Sequence, residues 1–239
     1  MGMKRFFADM NNVKKDEITL FGMEHNHLKN VMRITEGEEV IVVCGDQFDY
    51  LCKVEKVAKN ETILHIISKQ ENLSNPKTKF TVFQSLIKRQ GMELTVQKLT
   101  ELGVSKFVPF ESRFSVVKAK DGKQLKLQEI SNQSVKQCRR SIPMKVEIAC
   151  SFKEMIKQLK EYNVVLFANE TTVGKSLKDY IKISDNMAVI VGPEGGFAPE
   201  EISELNKEAI SVPMGSRILR AETASIALAS IIMFEAGEI

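Results

Sequence analysis

Short apolar runs rich in β-branched residues dominate the first seventy positions. Three of them predict strands, because such residues fit a pleated, partly buried surface: Glu39–Cys44, Tyr50–Val57 and Thr62–Ile67. Gly45-Asp46 and Lys59-Asn60 separate the runs and predict turns. His25–Arg33 predicts one short helix ahead of them. The pattern indicates a small barrel or sandwich rather than a βαβ unit.

A polar, proline-containing segment ends this pattern. Glu71–Thr78 (ENLSNPKT) predicts a linker between two domains. We therefore expect one domain at residues 1–72 and a second at residues 73–239.

Beyond the linker, strand-like runs alternate with helical spacing. The predicted strands are Phe80–Leu86, Lys106–Phe110, Val164–Ala168 and Met187–Val191. The predicted helices are Gly91–Leu102, Lys123–Arg140, Phe152–Tyr162, Pro199–Ala209 and Glu222–Phe234. Alternating strands and helices predict an α/β domain with a parallel sheet that is covered on both faces.

Composition excludes several classes of protein. Hydrophobic residues are 43% and charged residues 27% of the 239 positions, which excludes a disordered chain. No run approaches about 18 apolar residues, and the segment up to Asp9 is too short and polar for a signal peptide, so we expect no membrane span and a cytoplasmic protein. The four cysteines have neither zinc-site nor CxxC spacing, which predicts buried thiols and no metal site.

Positive charge is concentrated between residues 118 and 145. The basic residues are Lys118, Lys120, Lys123, Lys126, Lys136, Arg139, Arg140 and Lys145. Only Asp121 and Glu129 oppose these eight, so the segment carries +6 while the whole chain carries +3. Such a patch suits a phosphate backbone. A solvated lysine-rich face explains the charge equally well.

A glycine-rich loop follows the apolar strand Met187–Val191. It reads Gly192-Pro193-Glu194-Gly195-Gly196-Phe197, and Pro199 then opens a helix. Ligands of open α/β sheets bind beyond the carboxyl ends of strands, and glycines let a ligand approach the backbone closely. The motif is neither GxGxxG nor GxxxxGK[ST], so it does not indicate those nucleotide cradles. A tight strand–helix turn is the structural alternative.

A second loop, Val212–Ala224, precedes a helix that is apolar or small on nearly every side. Arg220 and Glu222 stand at its start. Either the two form an ion pair that shapes the loop, or Arg220 holds a phosphate or a developing anion of the substrate.

The sequence offers no evident nucleophile-and-base pair. His25, His27 and His65 all fall in the N-terminal domain, and an HxH pair alone is a weak metal signal. The shortage suggests chemistry that depends on an activated cosubstrate and on positioning.

Six motifs in order along the chain resemble one known family. They are HLKNVMR (His27–Arg33), MELTVQKLTELGV (Met92–Val104), RFSVVK (Arg113–Lys118), QSVKQCRRSIP (Gln133–Pro143), VGPEGGFAPEE (Val191–Glu201) and LRAETA (Leu219–Ala224). The sequence resembles the ribosomal RNA small-subunit methyltransferase E family, SPOUT-superfamily enzymes that methylate N3 of a uridine in 16S rRNA. The segment from Gln133 to Arg139 departs from the family pattern.

The resemblance implies an N-terminal PUA-like RNA-binding β-barrel, a C-terminal SPOUT domain with a trefoil knot, and a homodimer. It implies S-adenosylmethionine as cosubstrate and 16S rRNA or the small ribosomal subunit as partner. The implied cosubstrate pocket comprises Leu166, Phe167, Ala168, Asn169, Gly192, Pro193, Glu194, Gly195, Gly196, Met214, Ile218, Leu219 and Ala224. The implied RNA contacts are His27, Arg33, Arg113, Lys118, Arg139 and Arg140.

The implied reaction moves a methyl group from a sulfonium to a ring nitrogen. The target uracil must be unpaired, and its N3 proton must leave. We expect Arg220 to hold that base or stabilise its charge, and Glu222 or water to take the proton. The alternatives are a SPOUT enzyme that acts on tRNA and a catalytically inactive RNA-binding protein.

Overall fold

The computed structural model describes residues 3–119, 122–172, 177–181 and 183–239. The chain forms two compact units. The first contains residues up to Asn75 together with Asn132–Pro143, and the second contains Pro76–Ser131 and Met144–Ile239. Each unit has its own sheet.

The elements of secondary structure follow in chain order. The strands are β1 (Arg5–Phe7), β2 (Val13–Lys14), β3 (Glu17–Phe21), β4 (Glu39–Val43), β5 (Phe48–Val57), β6 (Glu61–Glu71), β7 (Lys79–Ser85), β8 (Lys106–Glu111), β9 (Lys145–Val146), β10 (Cys150–Ser151), β11 (Val164–Ala168), β12 (Asn186–Val191) and β13 (Ile210–Val212). The α-helices are α1 (Gly22–Asn26), α2 (Arg89–Glu101), α3 (Lys123–Cys138), α4 (Phe152–Gln158), α5 (Pro199–Glu208) and α6 (Ala221–Glu235).

The described sheet of the first unit has six strands in the order β1-β4-β5-β6-β3-β2. Its pairs are antiparallel except β1 with β4. The three predicted strands are confirmed as β4, β5 and β6, whereas β1, β2 and β3 were not predicted. The helix expected at residues 25–33 is α1 followed by a turn of π-helix at His27–Val31. Alternate residues of β3, β4 and β5 are buried, and they form one apolar core.

The basic stretch Asn132–Pro143 packs with the first unit, although it lies far from that unit in sequence. The Glu24 carboxylate accepts a hydrogen bond from Gln133 at 2.9 Å and pairs with the Lys136 ammonium at 2.7 Å. Ser141 Oγ donates to the Asp46 carbonyl at 2.5 Å. Sequence analysis divided the chain once, after residue 72, and did not foresee this return.

The described sheet of the second unit has seven strands, and every pair in it is parallel. The strand order is β10-β8-β7-β12-β11-β13, with β9 beside β8. Two separate apolar clusters contain alternate residues of the central strands, so both faces are covered. The predicted α/β architecture is confirmed. Because β11, β12 and β13 are neighbours and parallel, their carboxyl ends meet at one edge.

Helix α6 is buried along one side. Seven of its residues are buried, among them Leu228 and Ile232, but Phe234 is 66% and Ile231 36% exposed. A helix that is apolar or small on nearly every side is expected to be buried all round, and α6 meets this expectation along only part of its surface. Across the described chain, no helix combines the length and the hydropathy that a membrane crossing requires.

Candidate active site

A cavity of about 360 Å³ opens at the carboxyl ends of β11, β12 and β13. Three segments form most of its wall: residues 168–171 after β11, 191–197 after β12, and 214–221 ahead of and into α6. Ile202 and Ala224 complete the lining. The glycine loop and the second loop, which were singled out separately in the sequence, thus belong to one site.

Most residues that the resemblance implied for the cosubstrate pocket line this cavity. They are Ala168, Asn169, Gly192, Pro193, Glu194, Gly195, Gly196, Met214, Ile218, Leu219 and Ala224. Leu166 and Phe167 do not. Both lie inside β11, fully buried, and their side chains enter the apolar clusters on opposite faces of the sheet. The side chains of strand residues alternate between the two faces, so from β11 only its last residue, Ala168, and the residues that follow it reach the cavity.

Close packing explains the glycines of the loop after β12. A Cβ on Gly192 would lie 3.1 Å from the Phe197 ring, and a Cβ on Gly195 would lie 3.2 Å from Phe114 Cβ. Gly196 has φ +70°, and its N–H donates to the Pro193 carbonyl at 3.0 Å. The loop therefore presents backbone, with few side chains, to the cavity.

The start of α5 anchors the same loop. Glu201 is buried; its carboxylate accepts the Ala198 N–H at 2.9 Å and the Arg113 N–H at 2.8 Å. Arg113 also pairs through its guanidinium with Glu200. Arg113, implied as an RNA contact, thus already has carboxylate partners at the first turn of α5.

Arg220 lies at the mouth of the cavity, and Glu222 does not. Arg220 is the N-cap of α6, is exposed and lines the cavity. Glu222 is half-buried, and its Oε2 lies 3.4 Å from the position that a Cβ on Gly91 would occupy. Among the ion pairs of the described residues, none joins Arg220 to Glu222. The interpretation of these two residues as a loop-shaping pair is therefore wrong in this structure.

The histidines have structural surroundings. His25 is buried, with Nδ1 2.8 Å from Thr62 Oγ1 and Nε2 3.2 Å from the Lys59 carbonyl oxygen. His27 packs edge-on against Phe6, with ring centroids 5.7 Å apart. In the described ranges no group of three or more His, Cys, Asp or Glu side chains is placed to hold a metal ion.

Most of the basic segment is paired or buried. Lys136 pairs with Glu24, Lys145 with Glu147 at 2.7 Å, and Lys126 lies 3.6 Å from Glu93. Arg140 is only 3% exposed, and burial lowers the pKa of its guanidinium. The implied phosphate contact at Arg140 is therefore corrected: a buried guanidinium is not accessible to a phosphate. Lys120 and Asp121 lie outside the described residues.

The other implied RNA contacts are at the surface. Arg33 and Arg139 are exposed, with left-handed φ of 52° and 67°. Lys118 is exposed, and its ammonium lies 3.5 Å from the Glu111 carboxylate. The free positive charge on the described surface of this segment is thus smaller than its sequence suggests.

Comparisons with known proteins identify the family of the chain. A family model described as an RNA methyltransferase domain matches residues 74–233, and one described as an RNA methyltransferase PUA domain matches residues 24–67. The ribosomal RNA small subunit methyltransferase E of Mesomycoplasma hyopneumoniae is 32% identical, over 95% of this chain and 97% of the relative.

This chain belongs to the ribosomal RNA small subunit methyltransferase E family.

Two further relatives align with nearly the full length of this chain. The methyltransferase E of Bacillus subtilis is 28% identical over 98% of this chain and 97% of the relative. A Legionella pneumophila methyltransferase, solved in complex with the bound cofactor SAM, has a TM-score of 0.91 at 25% identity and covers 98% of both chains. The family member described here thus has a PUA-like N-terminal domain and an α/β methyltransferase domain.

Sequence reasoning missed several residues of this cavity and its wall. Glu170, Thr171, Arg217 and Phe197 line the cavity, and Gln84 and Ser225 lie directly behind its wall. Phe197 and Arg217 lie inside the two loops identified in the sequence but were not among the implied pocket residues. Glu170 and Thr171 directly follow the implied Asn169, so a wider boundary there would have included them. No local signal marked Gln84, because its strand reads as an ordinary apolar run.

Proposed function

We propose that this protein transfers a methyl group from S-adenosylmethionine to N3 of a uridine in the 16S rRNA of the small ribosomal subunit. One observation carries the proposal: in a chain of the methyltransferase E family, the loops after three adjacent parallel strands enclose a single cavity. Sites at the carboxyl ends of parallel strands are where α/β enzymes bind their ligands.

The chemistry of the wall fits S-adenosylmethionine. Met214, Leu219 and Ala224 give an apolar side that suits an adenine ring and the methylene groups next to the sulfonium. The glycine loop offers backbone groups at close range, and Glu170 offers a carboxylate that suits an ammonium group or ribose hydroxyls. Bound there, S-adenosylmethionine supplies an electrophilic methyl group.

The residues of the chain position the base and stabilise charge. Arg220 is exposed at the mouth of the cavity and has no acidic partner among the described residues, so its guanidinium is available to an incoming uracil. It would stabilise the negative charge that develops as the N3 proton leaves. Glu222 faces α2 rather than the cavity. We therefore assign proton removal to water and regard Glu222 as a support of the helix start.

RNA binding is proposed for the exposed cations. Arg33 and Arg139 of the first unit and Lys118 of the second are the implied contacts that stay accessible. His27 is half-buried at the start of the π-helical turn, six residues before Arg33. Each contact to a phosphate would add a sequence-independent, salt-sensitive increment of affinity.

We include the SPOUT knot, the homodimer and a cytoplasmic location in the proposal. Membership of the methyltransferase E family supports the knot, and the parallel order β7-β12-β11-β13 contains the crossovers of the domain that would carry it. Exposed Phe234 and Ile231 on α6 offer an apolar contact for a second copy.

The decisive experiment combines labelled S-adenosylmethionine with this protein and either RNA or small subunits from a strain that lacks the enzyme. Label at N3 of a single 16S uridine supports the proposal. Label in tRNA, or S-adenosylmethionine binding without any transfer to either substrate, contradicts it.

Arg220→Ala tests the assigned role. Single-turnover methylation at saturating RNA should slow at least tenfold, whereas S-adenosylmethionine affinity should change little, because the interaction strengthens as charge develops on the base. Arg113→Ala, whose guanidinium pairs with Glu200, is the matched control and should keep the wild-type single-turnover rate. Methylation by Arg220→Ala at the wild-type rate would refute the role.

A further inference from the structure

We propose that Gln84 and Ser225 are positioning residues that fix the glycine loop against the start of α6 and thereby set the width of the cosubstrate cavity. This inference rests on the proposed function, because it concerns how the same cavity binds S-adenosylmethionine. Neither residue contacts the cavity, so both would act through the groups that they hold.

One buried amide joins the two walls. Gln84 lies near the carboxyl end of β7, directly opposite Val191 of β12. Its Nε2 donates to the Gly192 carbonyl at 3.2 Å and to the Ser85 carbonyl at 3.1 Å. Its Oε1 accepts a short hydrogen bond from Ser225 Oγ. Gly192 opens the glycine loop, and Ser225 follows Ala224, which lines the cavity from α6.

The Gln84 amide is buried, and all of its polar atoms form hydrogen bonds. Gln84 and Ser225 are both 0% exposed. Both Gln84 donor positions and its acceptor oxygen are engaged, so the side chain has one orientation that satisfies all three contacts. Removing one partner would leave a buried polar group unsatisfied, which costs more than the hydrogen bond itself contributes.

The position of residue 84 in the sheet does not by itself call for a polar side chain. The preceding residues Val82 and Phe83 are buried and apolar, and β7 lies between β8 and β12 in the middle of the sheet. What the amide adds is its link to the Gly192 carbonyl and to α6, and both of these form the cavity wall. The polar residue therefore serves the geometry of the site.

The test is a double-mutant cycle on S-adenosylmethionine binding, measured by calorimetry on the full chain. Gln84→Met and Ser225→Ala should each raise the Kd at least fivefold. The double variant should bind no more weakly than the poorer single variant, because the two side chains belong to one bridge. Ser225→Ala is the milder change and keeps the test possible if Gln84→Met does not fold.

Thr100→Val is the matched control. Thr100 is also a fully buried hydroxyl of this unit, and it donates to the Val96 carbonyl at 2.8 Å within α2. Thr100→Val should lower the melting temperature about as much as Ser225→Ala does, while leaving the Kd for S-adenosylmethionine unchanged. RNA affinity should be unchanged in all of these variants.

The outcomes separate the two proposals. If wild-type protein does not bind S-adenosylmethionine, the proposed function fails, and the inference fails with it. If the wild type binds S-adenosylmethionine, and both single variants bind it with the wild-type Kd but have a lower melting temperature, the proposed function stands and the bridge is purely structural. Additive losses in the double variant would also overturn the single bridge.

Discussion

Gly195 shows how one missing side chain shapes the cavity. A Cβ at this position would lie 3.2 Å from Phe114 Cβ, which is tighter than an ordinary contact. Gly195→Val should push the loop toward the cavity and weaken S-adenosylmethionine binding at least tenfold in calorimetry. Ser74→Val, at an exposed position of the first unit, introduces the same side chain and should leave the Kd unchanged. Equal affinity of both variants would show that the loop tolerates a side chain there.

Two buried thiols, Cys44 and Cys52, make the first unit less stable as the pH rises above 9. Burial raises the pKa of Cys44 to about 12, with a further contribution from nearby Asp46, and burial raises the pKa of Cys52 to about 12. The ordinary value is 9.0. Above pH 9 the unfolded thiols therefore lose protons while the folded thiols keep theirs.

This difference favours the unfolded state as pH rises. The stability contributed by the neutral thiols is complete below pH 9 and is lost as pH approaches 12, with a limiting slope of about 1.4 kcal/mol per pH unit for each thiol. Urea unfolding between pH 8.5 and 10.5 should show the decline. In Cys52→Ala the decline should be shallower, and parallel slopes in the two proteins would contradict the assignment.

Helix α3 offers a matched pair of lysines at the scale of one element. Lys136 pairs with Glu24, and their side chains are 10% and 13% exposed, whereas Lys126 near Glu93 is 57% exposed. Lys136→Met should lower the free energy of unfolding by about 3 kcal/mol, because it leaves a buried carboxylate without its cation. Lys126→Met should change it by less than about 0.5 kcal/mol.

Urea titration of both variants measures the difference. Similar stability of the two would mean that the pair with Glu24 does not hold residues 132–143 on the first unit. Counting charges in the sequence therefore overestimated the basic surface of residues 118–145. Lys126 and Lys136 of α3 and Lys145 of β9 already have carboxylate partners, and Arg140 is buried.

RNA binding belongs to the scale of the whole molecule. Arg139 is exposed and Arg140 is buried, so two adjacent arginines should behave differently. Arg139→Ala should weaken RNA binding and reduce the slope of log K against log salt by about 0.7 to 0.9, the value for one phosphate contact. Arg140→Ala should instead lower the melting temperature and leave the slope unchanged. Filter binding at several salt concentrations distinguishes them, and a normal slope in Arg139→Ala would remove this residue from the footprint.

The proposed dimer is a second prediction for the whole molecule. Phe234 is 66% exposed near the C-terminal end of α6. Phe234→Glu should place a charge in the contact and convert a dimer to a monomer in light scattering. Lys153→Glu, an exposed change on α4, should not alter the mass. A wild-type protein that is monomeric across a concentration series while methylating RNA would refute the dimer.

The amino-acid sequence by itself determined the longer local elements, whereas the short strands β1, β2, β3, β9, β10 and β13 were not predicted. Val164–Ala168 is a strand with the predicted bounds, and β12, α5 and α6 begin within one residue of their predicted starts. These features follow from side-chain periodicity, proline and glycine, which act over a few neighbouring residues. Two of the three loops that form the cavity, those after β12 and β13, were identifiable for the same reason.

Tertiary structure alone decided which of these elements meet. It placed β12 between β7 and β11, returned residues 132–143 to the first unit, buried Arg140 and joined Gln84 to Ser225 across 141 positions of sequence. Each outcome depends on which distant surfaces bury one another, and local periodicity carries no information about the partner. The sequence therefore shows which residues form the loops, while the sheet order and the buried polar contacts determine which side chains reach the cavity.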